Sequence, residues 1–471
     1  MTFIGRSFEL EIIQAALNSK RAELGVIYGR RRVGKSTLLK QVHHQGDGLF
    51  FEGLEGLPLE KQVEHFLDQL ATQTKTPPFR GKTWKEAFEA LTPFLRKKRI
   101  YLVFDEFPWM ASEQDDLIAL LKFYWDQSWK ENPKLTLILC GSIASFMVKH
   151  VLHSRALHNR KTFELKVEPL PAVDSKHFFS KYRSDFEAAQ FLCIFGGVPK
   201  YLEQINPRQD LMTNLDHLCF KKGGFFLTEF ETLFKEQFRV TRNYEAIVQC
   251  LSQQSMSKEQ ITKQLGSKGG GGFGTYLKNL EDAGFIKKET PLNPFGKIRS
   301  KTIRYSIWDE WLRFYFTFMH PQISLIQQNT RNGLADGIIG NRFDSYCGLA
   351  FEKLCQKNLA TLLVNLELPM HRVLGVGPFF RQPSRTEKKS PGAQIDLLIR
   401  KKGNTLVLVE CKFSKNAVGM SIIPEIERKV KALNPPKGFS IERVLISASG
   451  ISPELEDHGY FHRTLGLDAI M

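Results

Sequence analysis

In the first third of the chain, apolar residues come in short runs closed by glycine, acidic or hydroxyl residues: Glu23 to Gly29 (ELGVIYG), Ile100 to Glu106 (IYLVFDE) and Leu135 to Cys140 (LTLILC). Runs of this length predict buried strands, and the segment from Lys35 (KSTLLKQV) predicts a helix, so the order there is strand, loop, helix. The middle third reads as helical and is broken at Pro207 to Asp210. Between Tyr244 and Trp308 the pattern changes to two helices (YEAIVQCLSQ and KEQITKQLG), a loop at Gly269 to Gly272, and FGTYLKNLEDAGFIKKE. Tyr276, Leu277, Leu280 and Phe285 are its apolar anchors, and AGF ends the helix before a strand, an order that predicts a winged helix. From Asn341 a helix carries a stripe of Phe343, Cys347, Ala350, Phe351, Leu354 and Leu362, with Glu352 beside it. A strand near Arg372 to Phe380 follows, then GAQIDLLIR, a KKGN turn and TLVLVECKFS, which alternate as a hairpin. A helix (IPEIERKVKAL) and a strand (IERVLISAS) complete an α-β-β-β-α-β order.

A length of 471 residues sets an expectation of about three domains. With 42% apolar residues, 11% aromatics and 25% charged, the chain can bury several cores, which excludes a disordered protein. Sixty-six Lys and Arg against fifty Asp and Glu leave +16; this points to a polyanionic partner or to an evenly spread basic surface. Seven scattered Cys without CxxC spacing argue against a disulfide framework or a zinc site and for a reducing cytoplasm. No stretch approaches the ~18 apolar residues of a membrane span, so a cytoplasmic protein without a membrane partner is expected.

The loop after the first strand reads GxxxxGK(S/T), from Gly29 through Gly34, Lys35 and Ser36. Glycines let backbone N–H groups converge on phosphate oxygens, and the helix N-terminus adds partial positive charge. Lys35 reaches the terminal phosphates of a nucleotide such as ATP, and the Ser36 hydroxyl can ligate Mg²⁺. Thr37 is either a first-turn helix residue or a contact to the α-phosphate. On the second strand Asp105 is placed to orient the magnesium shell, and Glu106 to act as general base for the attacking water. Ser142, just past the third strand, either senses the γ-phosphate in the crevice at the strands' carboxyl ends or simply ends the strand.

These residues, with FIGR at Phe3 to Arg6, LCGS at the third strand and GGVPKYL at Gly196 to Leu202, resemble the archaeal-type P-loop ATPases related to the AAA and STAND groups. The resemblance implies that Phe3 and Ile4 pack near adenine and that GGVP lies in a helical lid, with Pro199 at the base or ribose. It also implies a phosphate-serving Arg after the sensor strand, for which Arg155 and Arg160 are the candidates in SRALHNR, where the family more usually has PLYGR. Arg30, Arg31 and Arg32 match the family's loop; phosphate, a neighbouring domain or nucleic acid would each suit them.

Beyond the ATPase, Lys278 and Asn279 fall on the outer side of the expected recognition helix. The following hairpin carries Lys287, Lys288, Lys297, Arg299, Lys301 and Arg304. Such residues contact DNA when the helix enters the major groove, or pack and link domains when it does not. The aromatic run Tyr305 to Met319 (YSIWDEWLRFYFTFM) is read as a domain-docking core.

In the C-terminal hairpin, alternation puts Glu410 and Lys412 on one face and Val407, Val409 and Cys411 on the other. Asp396, fourteen positions before Glu410, falls on the paired strand where its carboxylate can come alongside. Converging carboxylates on a buried face suggest a cation, so Asp396 and Glu410, completed by Glu352, are the expected ligands of Mg²⁺ or Mn²⁺, and Lys412 orients water or steadies phosphorane charge. The D…ExK pattern in this element order resembles the PD-(D/E)XK restriction-endonuclease-like fold, although Gln394 stands where the family often has Glu. Arg381, Arg385, Lys388 and Lys389 form a basic loop suited to phosphate.

The reading is therefore an α/β protein of four parts: a P-loop NTPase domain (1–165), a helical lid (166–240), a winged helix (241–320) and an α/β restriction-endonuclease-like domain (321–471). Its expected function is a nucleotide-regulated, DNA-binding ATPase with metal-dependent endonuclease activity. The alternative is a STAND-like regulatory or defence ATPase whose C-terminal domains bind DNA or partners without cleavage. RNA is the weaker substrate, since no aromatic stacking signature is visible. A second copy or a partner protein stays open.

Overall fold

The computed structural model describes residues 3–43, 48–96, 99–111, 116–238, 240–266, 271–295, 303–381 and 392–471. The chain divides into two compact units, one of Met1–Pro169 with Lys235–Arg239, the other of Leu170–Phe234 with Val240–Met471. The residues from Leu170 to Phe234 and from Val240 to Met471 thus share one unit.

The first unit is built on five parallel strands: β1 (Glu23–Tyr28), β2 (Gly48–Glu52), β3 (Ile100–Asp105), β4 (Leu135–Gly141) and β5 (Phe163–Lys166), in the order β2-β3-β4-β1-β5. Both faces are covered, so the strands read as apolar runs and alternate residues serve two cores. Leu24, Val26, Leu102 and Phe104 join one core with Phe66, Phe88 and Trp129. Ile27, Val103 and Ile138 join the other with Leu38, Leu39 and Val42 of the helix Lys35–His43. The fold places β4 between β1 and β3, so a residue just past β4 stands between the phosphate loop and the acidic strand end.

In the second unit, the helices Arg242–Gln253, Lys258–Gln264 and Gly271–Asp282 precede an antiparallel hairpin of β6 (Ile286–Glu289) and β7 (Arg304–Ile307). A mixed sheet follows, made of β8 (Val373–Arg381), β9 (Ala393–Lys401), β10 (Thr405–Lys412), β11 (Ser440–Ser447) and β12 (Arg463–Leu465), in the order β12-β11-β10-β9-β8. The hairpin is tied to the sheet side: Ser306 and Lys353 both donate to Glu289, and the Leu292 N–H donates to the Pro378 carbonyl at 2.8 Å. Trp311, Phe314 and Tyr315 are buried and meet Phe226, Tyr346 and Phe230, so the aromatic run is core of this unit. The seven cysteines are buried free thiols. Among the described residues no helix is long and apolar enough to cross a membrane.

Candidate functional site

The phosphate loop leaves β1 through Gly29, whose φ of 152° is open to glycine and whose Cβ position lies 2.3 Å from the Val167 carbonyl. A side chain there would drive the β1–β5 edge apart. Gly34 (φ 88°) and Arg32 (φ 74°) complete the turn. Arg6 of FIGR, itself buried, donates to the Val33 carbonyl at 2.7 Å and to Glu9 at 2.6 Å. It braces the loop from outside, a role the resemblance did not suggest, while Phe3 packs on the core that holds Val33 and Leu38.

At the head of the helix, Lys35 is 5% exposed and donates to the Gly29 and Arg30 carbonyls at 2.9 and 3.0 Å. Burial pulls its pKa down, against the opposing charges of Glu106 and Asp105. Ser36 is half-buried and Thr37 exposed in the first turn. Asp105, 1% exposed, ends β3 and accepts the Glu106 N–H at 3.0 Å. Glu106 turns out of the strand with a left-handed φ of 49°, and the Ser142 hydroxyl lies 2.8 and 2.6 Å from its two oxygens. Burial raises the Glu106 pKa, with Lys35 and the Ser142 bond opposing it, so the carboxylate sits closer to proton-accepting duty than a solvated one. The three strand-end predictions Asp105, Glu106 and Ser142 thus converge beside Lys35.

Arg31 of the same loop bridges Glu55 at 3.0 Å and Glu236 at 2.7 Å. Burial works against its charge, and Glu236, Glu106 and Glu55 outweigh it. Arg160 is held bidentate by Asp126 at 2.9 and 2.6 Å, which gives it a local structural partner; Arg155 is exposed. Pro199 opens the helix Pro199–Leu202 in the second unit. The glycines before it answer to packing in that unit: a Cβ on Gly197 would fall 1.9 Å from the Leu170 carbonyl, and one on Gly196 would fall 2.4 Å from Glu310.

In the second unit, the β9–β10 pairing runs from Thr405 with Lys401 to Val409 with Leu397, so the next step of the register sets Glu410 against Asp396. Asp396 is 5% exposed and its Oδ2 accepts the Cys411 N–H at 3.1 Å. Glu410, 1% exposed, does not face an open cavity: Lys429 lies 2.6 Å from both of its oxygens, and Lys412 lies 3.0 Å from Oε1. Glu425 accepts from Lys412 at 3.1 Å and pairs with Lys429 at 3.3 Å. Burial followed by the charge of Asp396 raises Glu352, and burial followed by the charge of Glu410 raises Asp396. Lys429 and Glu425 were absent from the sequence reading, although Ile422, Ile426, Lys429 and Leu433 share one helical stripe whose apolar members are all core.

Among the described residues, no group of three or more His, Cys, Asp and Glu side chains is arranged to hold a metal ion. Of the expected set Glu352, Asp396 and Glu410, Glu410 is already paired with the ammonium groups of Lys429 and Lys412. The phosphate-loop site differs, since Mg²⁺ there needs only one or two protein oxygens beside the nucleotide's own; Ser36 and Asp105 supply that donor set.

The hairpin residues divide. The Lys287 ammonium lies 3.8 Å from the Trp308 ring centre, Arg304 donates to the Ser255 carbonyl at 2.9 Å, and Asn279 donates to the Tyr244 hydroxyl at 2.8 Å. These three face the protein. Lys278 and Lys288 are exposed. Gly269, Gly270, Lys297, Arg299, Lys301, Arg385, Lys388 and Lys389 lie outside the described residues, while Arg381 donates to the Ala432 carbonyl at 2.7 Å.

A family described as an ATPase domain predominantly from Archaea matches residues 3–205. An uncharacterized protein of Methanocaldococcus jannaschii is 30% identical over 399 residues, 84% of each chain. The chain belongs to the archaeal-type P-loop ATPases. A second family, described as Archaea bacterial proteins of unknown function, matches residues 315–423 of this ATPase. Among solved structures, the Walker-type ATPase of Pyrococcus abyssi is similar at 18% identity and TM-score 0.49, covering 67% of this chain and 96% of that one. The Aeropyrum pernix ORC2 protein is similar at 13% identity and TM-score 0.42, covering 69% and 94%.

Proposed function

We propose that this archaeal-type ATPase is a nucleotide-switched DNA-binding protein that hydrolyses ATP with Glu106 as general base. The observation that carries the reading is the convergence of Glu106, Ser142, Asp105 and Lys35 at the carboxyl ends of β3, β4 and β1. Bound ATP with magnesium would supply the electrophilic γ-phosphoryl group. Lys35 and the first-turn N–H groups hold its phosphates, and Ser36 and Asp105 hold the ion. Glu106 takes the proton of the attacking water, and Ser142 keeps its carboxylate turned into the crevice. The three helices and hairpin form a winged helix that lays Lys258, Lys263, Lys278 and Lys288, all exposed, along phosphates; the +16 charge of the chain supports a polyanionic partner. ATP hydrolysis by the wild type, lost in Glu106→Gln, with salt-sensitive duplex binding weakened by Lys278→Glu, tests this directly. Intact hydrolysis in Glu106→Gln, or duplex affinity unchanged by salt, would overturn it.

A second reading, metal-dependent DNA cleavage by a nuclease-like C-terminal sheet, is favoured by the register that sets Asp396 against Glu410 with Lys412 on the same face. Supercoiled DNA incubated with Mg²⁺ or Mn²⁺, with and without ATP, separates the two. Nicking that vanishes in Lys412→Ala establishes a nuclease, and intact DNA in every lane leaves the sheet as a binding module.

A further inference from the structure

The charges around β10, buried at Glu410 and Lys429 and half-buried at Lys412 and Glu425, close on themselves. Glu410 and Glu425 supply two negative charges, and Lys412 and Lys429 supply two positive ones, all within mutual ion-pair distances of 2.6 to 3.3 Å. Lys429 is delivered by the helix Ile422–Leu433, on the same stripe as Ile422, Ile426 and Leu433 that packs on Leu406 and Leu408 of β10. It is 6% exposed, so its ammonium has no water to retreat into. Burial disfavours its charge, and the Glu410 carboxylate at 2.6 Å is the partner that answers it.

We infer that the Lys429 ammonium stands in a metal ion's place on Glu410, so that the C-terminal sheet carries a built-in cation and takes no divalent metal at Glu410 and Asp396. The inference rests on reading that sheet as nuclease-like in element order, and it deepens the proposal of a module that binds without cutting. A hard cation needs carboxylate oxygens to itself, and here both Glu410 oxygens already accept from an ammonium, with which a dication must compete. Inserting a dication beside the buried Glu410–Lys429 pair would force that ammonium out of its pairing, which the low-dielectric surroundings oppose.

The test counts Mn²⁺ bound to the nucleotide-free full chain by paramagnetic resonance. Wild type and Lys429→Met are each measured alone and combined with Asp396→Asn, and Lys429→Arg serves as the conservative control. Any Mn²⁺ at the phosphate loop is common to all and cancels in each Asp396 comparison. The expected result is no Asp396-dependent Mn²⁺ in the wild type or in Lys429→Arg. One additional Mn²⁺ per chain should appear in Lys429→Met, with a rise in Tm on adding the metal, and both should vanish with Asp396→Asn. Asp396-dependent Mn²⁺ binding by the wild type overturns the inference, as does a folded Lys429→Met that gains none. Should Lys429→Met fail to fold, the wild-type and Asp396→Asn pair decides alone. ATP hydrolysis measured on the same wild-type sample tests the ATPase proposal separately, because its loss leaves the Mn²⁺ comparison standing.

Discussion

Two buried lysines mark the two charged centres of this ATPase, and they are treated in opposite ways. Lys35 and Lys429 are 5% and 6% exposed. Lys35 donates to the carbonyls of its own loop and its pKa falls, whereas Lys429 meets a carboxylate at 2.6 Å and its pKa rises. Burial penalises both ammonium groups, so the partner decides the sign. A buried cation whose hydrogen bonds go to carbonyl dipoles, with carboxylates acting on it only through space, keeps part of its charge unanswered and is prepared for an incoming anion. One that meets carboxylates has its anion already, and its work is structural.

The strongest way to break this contrast is to remove the base next to Lys35. Glu106→Gln should lower kcat for ATP hydrolysis by about 10² to 10⁴-fold while leaving ATP affinity within a few-fold. Steady-state rates with equilibrium nucleotide binding check this, and hydrolysis at the wild-type rate would remove Glu106 from the mechanism. Next in size, Lys429→Met should destabilise the chain by about 3–5 kcal/mol, because it leaves Glu410 buried with less compensation; denaturant unfolding followed in the second unit reads it. The matching change at Lys35 sharpens the comparison. Lys35→Met should alter the stability of the nucleotide-free protein by only about 1 kcal/mol or less, since it relieves a desolvation cost while losing two hydrogen bonds, yet ATP should no longer raise Tm.

The smallest effect is expected at the surface pair, where Arg160 holds the Asp126 carboxyl down to about 2. A depressed carboxylate stabilises above its unfolded pKa of about 4 and loses that stabilisation as pH falls through its folded value. Arg160→Ala should therefore cost about 1 kcal/mol or less at neutral pH, given the pair's solvent access, and the difference from wild type should fade between pH 4 and pH 2 in urea titrations.

The phosphate loop and acidic strand were legible because their residues are close in sequence to the strands that carry them, and each strand's apolar run fixes where it ends. Asp396 against Glu410 was legible for a similar reason: a short turn makes the register arithmetic. What escaped was fixed by contacts across long stretches of chain. Lys429 sits at a core position of an amphipathic helix, and its meaning depends on that helix packing against β10. Gly196 and Gly197 read as part of a ligand lid, and their close packing against Glu310 and the Leu170 backbone depends on contacts distant in sequence. Lys287 and Arg304 looked like phosphate contacts, and their partners are an indole ring and a carbonyl. Charge alone does not tell a solvated basic residue from one folded inward.

The pairing of Lys429 with Glu410 also dictates the order in which this sheet can assemble. A β9–β10 hairpin formed without the later helix holds the Glu410 carboxylate without its main partner, and the helix without the hairpin leaves Lys429 with only Glu425, one turn away. Burial favours the pair only once both have arrived. The hairpin and the helix Ile422–Leu433 therefore dock and melt as one cooperative element, with their amide protons exchanging through a shared opening.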